Sequence, residues 1–312
     1  MFVTERVGRV RVISHGHLLS RPWLKLRVAK ASFAEAGLMG MAVDPAFAAN
    51  HKIYLCYSYY RTEQGLIGNR VVVYRDHNGY GVDRKVLLDA IPGALFHDGC
   101  RLAFGPDGKL YISTGDGRLK DQAQRLTSLA GKILRLDPGG KVPADNPFPN
   151  SPVWSLGHRN PQGLAFQPRT GRLFETEHGS DGLNELNLIR RGGNYGWPKF
   201  NGESDDPKFV PPILVHNSPP AGATFVSSDR YPDWKGNLLF AGLGLRQLVR
   251  VVLSDGAAPK VVKIERLLTG RFGRIRDVAQ GPDGYLYIAT SNTDGRGSPA
   301  PTDDRIIRLV PR

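Results

Sequence analysis

The sequence contains only two cysteines and three methionines among its 312 residues, and it has no long apolar run. Two cysteines are too few for a disulfide framework or for a zinc site built from cysteines. We expect Cys56, in the segment KIYLCYSYY, to be a buried strand residue and Cys100 to lie close to the functional residues discussed below. A transmembrane helix needs about 20 consecutive apolar residues, so we expect no membrane span.

Acidic residues are also in short supply, because 29 Asp and Glu stand against 42 Lys and Arg, a formal net charge of +13. Basic proteins often bind nucleic acid, but these cations are spread along the chain without a basic block or a nucleic-acid module. We therefore expect no nucleic-acid partner, and instead an attraction for anionic ligands or surfaces. The strand-Gly-x-Gly-x-x-Gly-helix unit that binds NAD is missing as well. The first residues, MFVTERVGRVRV, predict a pair of strands rather than a signal peptide.

Turn residues are abundant, with 37 Gly and 23 Pro, and many of them belong to a repeat of about sixty residues. The repeated unit is an apolar strand, a Pro/Asp/Gly turn and an aromatic-aliphatic strand, as in RLAFGPDGKLYIS, GLAFQPRTGRLFETE and DVAQGPDGYLYIAT. The prolines of these turns are Pro45, Pro106, Pro168, Pro232 and Pro282, and a partial unit precedes the first. Such a period indicates a radial array of small antiparallel sheets. We predict a single all-β domain over residues 1–312, a six-bladed β-propeller whose first blade lacks its inner strand at the N-terminus.

Polar residues recur at equivalent places in these units, which predicts a shared pocket. Residues that precede an inner strand, or follow the second strand, are expected at one end of a propeller. These positions hold Glu35, His97, Asp116, Arg159, Asn160, Gly179, Ser180, Asn217, Arg274 and Arg276. Singly, each has a structural explanation: Asp in a Gly-Asp-Gly turn is common turn chemistry, and Arg274 and Arg276 share a strand face that solvent could cover. Together, one base candidate, one carboxylate and three arginines suit an anionic ligand and proton abstraction.

Several of these segments resemble the soluble quinoprotein sugar dehydrogenases, the PQQ-dependent glucose and aldose dehydrogenases with a six-bladed propeller. They include HDGCRLAFGPDGKLYISTGDG, WSLGHRNPQGLAFQP, ETEHGSDGLNELNLIRRGGNYGWP and RIRDVAQGPDGYLYIAT. The likeness covers nearly the whole chain, and GHRNPQG with GGNYGWP is highly specific. It implies a PQQ- and Ca²⁺-dependent oxidation of aldoses to lactones, with electrons passed to an external acceptor. It also implies a periplasmic or secreted location, although the sequence shows no signal peptide.

The resemblance assigns roles to the matching residues. His97 is the implied general base for the anomeric hydroxyl, Asp116 orients it, and Arg159 stabilises charge that develops on the quinone oxygens. The implied cofactor contacts are Glu35, Asn160, Asn217, Arg274 and Arg276, with the two late arginines pairing with PQQ carboxylates. Backbone carbonyls of Gly179 and Ser180 are implied ligands of a Ca²⁺ that bridges to the cofactor. A second, structural Ca²⁺ of some members corresponds to Glu185, the Tyr195 backbone and Asp205.

One departure from the family pattern keeps other functions open. The family usually has a cofactor-binding lysine where this chain has Gly244, and Arg246 is two residues out of register. Loss of a charge-assisted contact costs about 1.5–3 kcal/mol. A non-enzymatic propeller module that has lost quinone binding is one alternative, favoured by Gly244. A Ca²⁺-dependent sugar lactonase is another, but it predicts acidic and amide groups at the pocket and no need for arginines.

Overall fold

The computed structural model describes residues 1–311, which form 23 β-strands, one short α-helix and two 3-10 helices. The strands lie in six antiparallel sheets, and the predicted all-β, six-bladed propeller fold is confirmed. The chain divides into two compact units, Met1–Asn160 and the residues from Pro161 onward, each with three sheets. The single domain over 1–312 stays a prediction. Within residues 1–311, no helix is long and apolar enough to cross a membrane.

The first unit contains three blades. The first blade comprises β1 (Phe2–Glu5), β2 (Arg9–Ser14), β3 (His17–Leu18) and β4 (Leu24–Lys25). Its first two strands are the predicted pair, and the sheet is three strands wide because β3 and β4 pair with different parts of β2. The second blade comprises β5 (Leu38–Val43), β6 (Lys52–Tyr60), β7 (Ile67–His77) and β8 (Tyr80–Pro92), with helix α1 (Phe47–Asn50) between β5 and β6. The third comprises β9 (Gly99–Phe104), β10 (Leu110–Thr114), β11 (Lys132–Leu136) and β12 (Val153–Leu156), with a 3-10 helix at Lys120–Gln124.

The second unit also contains three blades. Its first blade comprises β13 (Pro161–Phe166), β14 (Leu173–Glu177), β15 (Asn184–Ile189) and β16 (Leu214–His216). The next comprises β17 (Pro220–Phe225), β18 (Leu238–Gly242), β19 (Gln247–Leu253) and β20 (Val261–Leu267), with a 3-10 helix at Pro232–Trp234. The last, within the described residues, comprises β21 (Ile275–Gln280), β22 (Leu286–Thr290) and β23 (Ile306–Leu309).

The repeat seen in the sequence corresponds to a repeated hairpin. In the turn between β9 and β10, the Gly105 N–H donates to the Lys109 carbonyl and the Gly108 N–H to the Gly105 carbonyl. Gly108 has φ of 71°, a left-handed conformation that glycine adopts without steric cost. The turn between β21 and β22 has the same two bonds at equivalent positions. Alternating apolar side chains of these hairpins form the cores between neighbouring blades.

A β-bulge interrupts the start of the inner strand in five blades. The register shifts next to Leu38–Gly40 in β5, opposite Ile112–Thr114 for β9, and within β13, β17 and β21. A bulge bends the strand and re-aims the side chains beside it, and bulges are common next to active sites. Because the predicted pocket residues that precede inner strands lie at or just before these bulges, the local backbone is irregular there.

Candidate active site

His97 lies in the loop that connects β8 to β9, and its imidazole ring contacts the carboxylate of Asp116. Its Nδ1 is 2.9 Å from Asp116 Oδ1. The ring is only 12% exposed and the carboxylate 2%. Since an ionised carboxylate can only accept a hydrogen bond, Nδ1 carries the proton in this pair, and Nε2 is left as the basic nitrogen.

Backbone hydrogen bonds hold the His97–Asp116 pair in place. The His97 N–H donates to Glu35 Oε2 at 3.0 Å, and the Gly117 N–H donates to the His97 carbonyl at 3.0 Å. The Asp116 N–H donates to the Arg159 carbonyl at 2.7 Å. The structure therefore brings Glu35, His97, Asp116 and the Arg159 backbone into one hydrogen-bonded group.

Asn160 is a fully buried member of the same group. Its Oδ1 accepts the Gly99 N–H at 3.1 Å, and its Nδ2 donates to Glu35 Oε2 at 3.1 Å. The side chain thereby ties the bulge after His97 to the carboxylate that holds His97 from the other side. This geometry gives Asn160 a supporting role in the loop. The cofactor contact that the sequence predicts for Asn160 stays a prediction.

Asp98 is a residue of this site that the sequence analysis missed. Its side chain is 1% exposed; Oδ1 accepts from Asn69 Nδ2 at 2.8 Å and from the Ala94 N–H at 3.1 Å. Oδ2 is buried and has no hydrogen-bond partner among the described residues. Burial, helped by the nearby charges of Glu35 and Asp116 and opposed by the two hydrogen bonds, raises the pKa of Asp98 to about 7. The only signal in the sequence was its position directly after His97.

The two cysteines form a disulfide, with a distance of 5.5 Å between the Cα atoms of Cys56 and Cys100. The predicted burial of Cys56 in a strand is confirmed, because it is fully buried in β6. Cys100 lies in β9, three residues after His97. The pairing was missed because 44 residues separate the two positions, and only the packing of β9 against the second blade brings them together.

In the second unit, Arg274 and Arg276 converge on one carboxylate, that of Asp294. Arg274 Nε and Nη2 lie 3.1 and 3.0 Å from Asp294 Oδ2, and Arg276 Nη2 lies 3.2 Å from the same oxygen. Burial alone would raise the pKa of Asp294, but the hydrogen bond from the Arg296 N–H and the charge of Arg274 hold it below its usual value. The sequence gave no reason to select Asp294.

The carbonyls predicted to bind calcium lie in the loop between β14 and β15. A side chain at Gly179 would overlap the Leu183 carbonyl oxygen, so only glycine fits. The Ser180 carbonyl accepts hydrogen bonds from the Leu183 N–H at 2.9 Å and from Asn201 Nδ2 at 2.8 Å. Carbonyl oxygens are suitable Ca²⁺ ligands, but a cation at Ser180 would have to displace one of these donors.

The second predicted calcium set is only partly accessible. The Glu185 side chain is buried, with Oε1 accepting from the Gly202 N–H at 2.8 Å and Oε2 from Asn187 Nδ2 at 3.0 Å. Tyr195, whose backbone carbonyl is the predicted ligand, is buried, whereas Asp205 is exposed. These are hard oxygen donors of the kind that bind Ca²⁺, and this set stays a prediction.

Asn217 lies beside a cavity of about 340 Å³ rather than among the contacts of Arg274 and Arg276. Its described lining residues are Leu214, Val215, His216, Asn217, Ser218, Phe240, Gln247, Val249, Ile264 and Arg266. Asn217 itself is exposed. Its predicted contact with a cofactor is therefore not supported by proximity to either arginine.

Gly244, the position of the family's lysine, is exposed and packs against a proline. A Cβ atom at Gly244 would lie 2.6 Å from the Cδ of Pro219, closer than real Cβ contacts. Glycine is therefore required by the ring of Pro219, and a lysine could enter only if that ring moved. Arg246, the possible substitute, is exposed and has φ of 52°.

Comparison with known proteins places these features in context. The Glucose / Sorbosone dehydrogenase family matches residues 1–307. Aldose sugar dehydrogenase YliI of Escherichia coli K12 is 33% identical over 319 residues, covering 95% of this chain and 85% of that protein. An uncharacterized Synechocystis protein, slr1608, is 36% identical, covering 95% and 80%. The PQQ-bound structure of aldose sugar dehydrogenase from Streptomyces coelicolor superposes with a TM-score of 0.87 at 34% identity, covering 98% of this chain and 89% of that one.

Proposed function

Because the chain belongs to the glucose/sorbosone dehydrogenase family of soluble quinoprotein sugar dehydrogenases, we propose that it oxidises aldose sugars at the anomeric carbon to lactones, with PQQ as cofactor. The observation that carries the proposal is the buried His97–Asp116 pair, a base with its orienting carboxylate. The relative from Streptomyces coelicolor supports the cofactor, since it was solved in a PQQ-bound form. The relative from Escherichia coli supports the substrate class, since it is named an aldose sugar dehydrogenase.

Arginine side chains of the second unit fit the carboxylates of PQQ. Asp294 holds the guanidinium groups of Arg274 and Arg276 together, and the Arg276 side chain is 33% exposed. Planar guanidinium groups bind carboxylates in a bidentate manner. When bound, PQQ supplies the oxidant that takes up hydride from the sugar. Arg274 and Arg276 would hold its carboxylates without the lysine that Gly244 replaces.

The proton of the anomeric hydroxyl would go to His97 Nε2. Asp116 fixes the ring so that Nδ1 keeps its proton and Nε2 accepts the new one, and it stabilises the imidazolium that results. Arg159, whose carbonyl is bonded to the Asp116 N–H, would place its positive charge against the negative charge that develops on the oxidant. Glu35 and Asn160 would keep the loop rigid from either side of His97.

Calcium belongs to this proposal as a second ligand of the site. The Gly179 and Ser180 carbonyls would hold it, and the Asn201 amide would have to release the Ser180 oxygen for it to bind. A bound Ca²⁺ would add positive charge next to an anionic cofactor. The electrons would pass to an external acceptor, since the cofactor must be reoxidised after each turnover.

Substitution His97→Ala tests the assignment of the base. We expect kcat to fall by about 10²–10⁴-fold, because a positioned general base contributes about that much. Affinity for PQQ, measured by titration of the purified apo-protein, should stay within about twofold. The matched control is His77→Ala, which removes an exposed histidine at the end of β7 and should leave both quantities unchanged. Dye reduction at the parent rate by His97→Ala would rule out His97 as the base.

A further inference from the structure

We propose that the Cys56–Cys100 disulfide positions His97 for catalysis, so that Cys100 acts as a positioning residue through the backbone of the His97 loop. The inference rests on the proposed function, because it concerns the base of that reaction. The disulfide joins β6 of the second blade to β9 of the third, three residues after His97. It therefore fixes the end of the loop that presents the imidazole.

The backbone of this loop has an unfavourable conformation. His97, Gly99 and Cys100 have φ of 63°, 63° and 66°. Glycine adopts positive φ freely, but a residue with a Cβ does so only at a steric cost. In the same stretch the β9–β10 register shifts between Ile112 and Thr114, and the Arg101 N–H donates to Ser113 Oγ at 2.9 Å. Regular strand pairing therefore does not hold Cys100 in this conformation.

The second blade holds Cys100 from two sides. Its side chain is bonded to Cys56, which is fully buried in β6. Its carbonyl oxygen lies against Gly40 of β5, where any side chain would overlap it. Gly40 and Cys56 are direct partners in the β5–β6 register. The disulfide and the absence of a side chain at Gly40 thus together fix the position of Cys100.

The position of His97 depends on the position of Cys100. Between the two residues, the Gly99 N–H donates to Asn160 and Asp98 accepts from the Ala94 N–H. Hydrogen bonds thus also restrain the two residues that link Cys100 to His97. If the disulfide is absent, Cys100 can relax to negative φ, and the change is transmitted through three peptide groups to His97. A displacement of about 1 Å at a reacting group can cost about 10²-fold in rate.

A pair of double substitutions separates this role from a purely structural one. Cys56→Ala with Cys100→Ala removes the disulfide and keeps a Cβ at φ of 66°, whereas Cys56→Ala with Cys100→Gly removes the disulfide and the steric cost together. We expect kcat of the PQQ-loaded Ala variant to fall at least about tenfold, with affinity for PQQ unchanged. The Gly variant should stay within about twofold of the parent kcat. Both should lose thermal stability, because both lack the disulfide.

A readout in the apo-protein keeps the test independent of turnover. The ¹⁵N chemical shifts of the His97 ring report its hydrogen bond to Asp116, and they can be assigned by comparison with His97→Gln. We expect these shifts to move in the Ala variant and to match the parent in the Gly variant. Equal kcat and equal ring shifts in both variants and the parent would overturn the proposal, as would an equal loss in both. Failure of the proposed function is a different result, in which the parent itself shows no turnover with PQQ and aldoses while the ring shifts still separate the two variants.

Discussion

The buried carboxyl of Asp98 should make the stability of the protein depend on pH. Burial and the charges of Glu35 and Asp116 together raise its pKa to about 7, against the hydrogen bonds it accepts. In an unfolded chain an aspartate has a pKa of about 3.9. Below about pH 4 Asp98 is protonated in both the folded and the unfolded state, so its raised pKa does not lower the free energy of unfolding. As the pH rises from about 4 to about 7, the unfolded chain loses the proton while the folded protein keeps it, so the free energy of unfolding falls.

The size of this penalty follows from the two pKa values. The gap between about 3.9 and about 7 corresponds to about 4 kcal/mol, fully present above about pH 7. Asp98→Asn cannot ionise, and its amide oxygen can accept the same bonds from Asn69 and the Ala94 N–H. We therefore expect Asp98→Asn to equal the parent in stability near pH 4 and to exceed it by up to about 4 kcal/mol at pH 8.

Urea unfolding of both proteins at intervals between pH 4 and pH 8 would measure the difference. The exposed Asp121, substituted in the same way, serves as the control and should follow the parent at every pH. A difference between Asp98→Asn and the parent that stays constant over this range would refute the reasoning, because it would show that Asp98 ionises alike in both states. A difference that grows as the pH falls would refute it as well.

Three further predictions concern the cofactor arginines, calcium and the fold. Asp294→Asn removes the acceptor shared by Arg274 and Arg276, and we expect affinity for PQQ to fall about tenfold in a fluorescence titration; an unchanged affinity would contradict that role. Removal of Ca²⁺ with EGTA should abolish dye reduction by the PQQ-loaded protein and re-addition should restore it, whereas full activity in EGTA would exclude the calcium at Ser180. Lys132→Met leaves three backbone carbonyls, two of them in buried contacts, without the ammonium donor, and urea unfolding should show a loss of about 1–3 kcal/mol rather than none.

The fold could be predicted because its signals are local and repeated. Each Pro/Asp/Gly turn specifies a hairpin by itself, and the sequence shows the same turn in successive blades, as at Gly105–Lys109 and Gly281–Tyr285. Positions just before the inner strands and just after the second strands then identify residues such as His97 and Asp116 as neighbours, and these two are hydrogen-bonded. Repeat phase thus carries three-dimensional information that single motifs lack.

The rest depends on packing between strands that are distant in sequence. The contact of Asp294 with two arginines arises because its loop folds back onto the start of β21, and no periodicity marks that residue. The Cys56–Cys100 bond depends on the space that Gly40 leaves for Cys100, and the glycine at 244 is explained only by the ring of Pro219. In each case the decisive partner has no sequence signal of its own.

Addition of PQQ and Ca²⁺ to the purified apo-protein tests the central claim most directly. We predict a saturable shift of the quinone absorbance together with reduction of an artificial dye that requires an aldose. Neither a spectral change nor turnover with any aldose would contradict the proposed function and favour a propeller that binds partners without quinone chemistry.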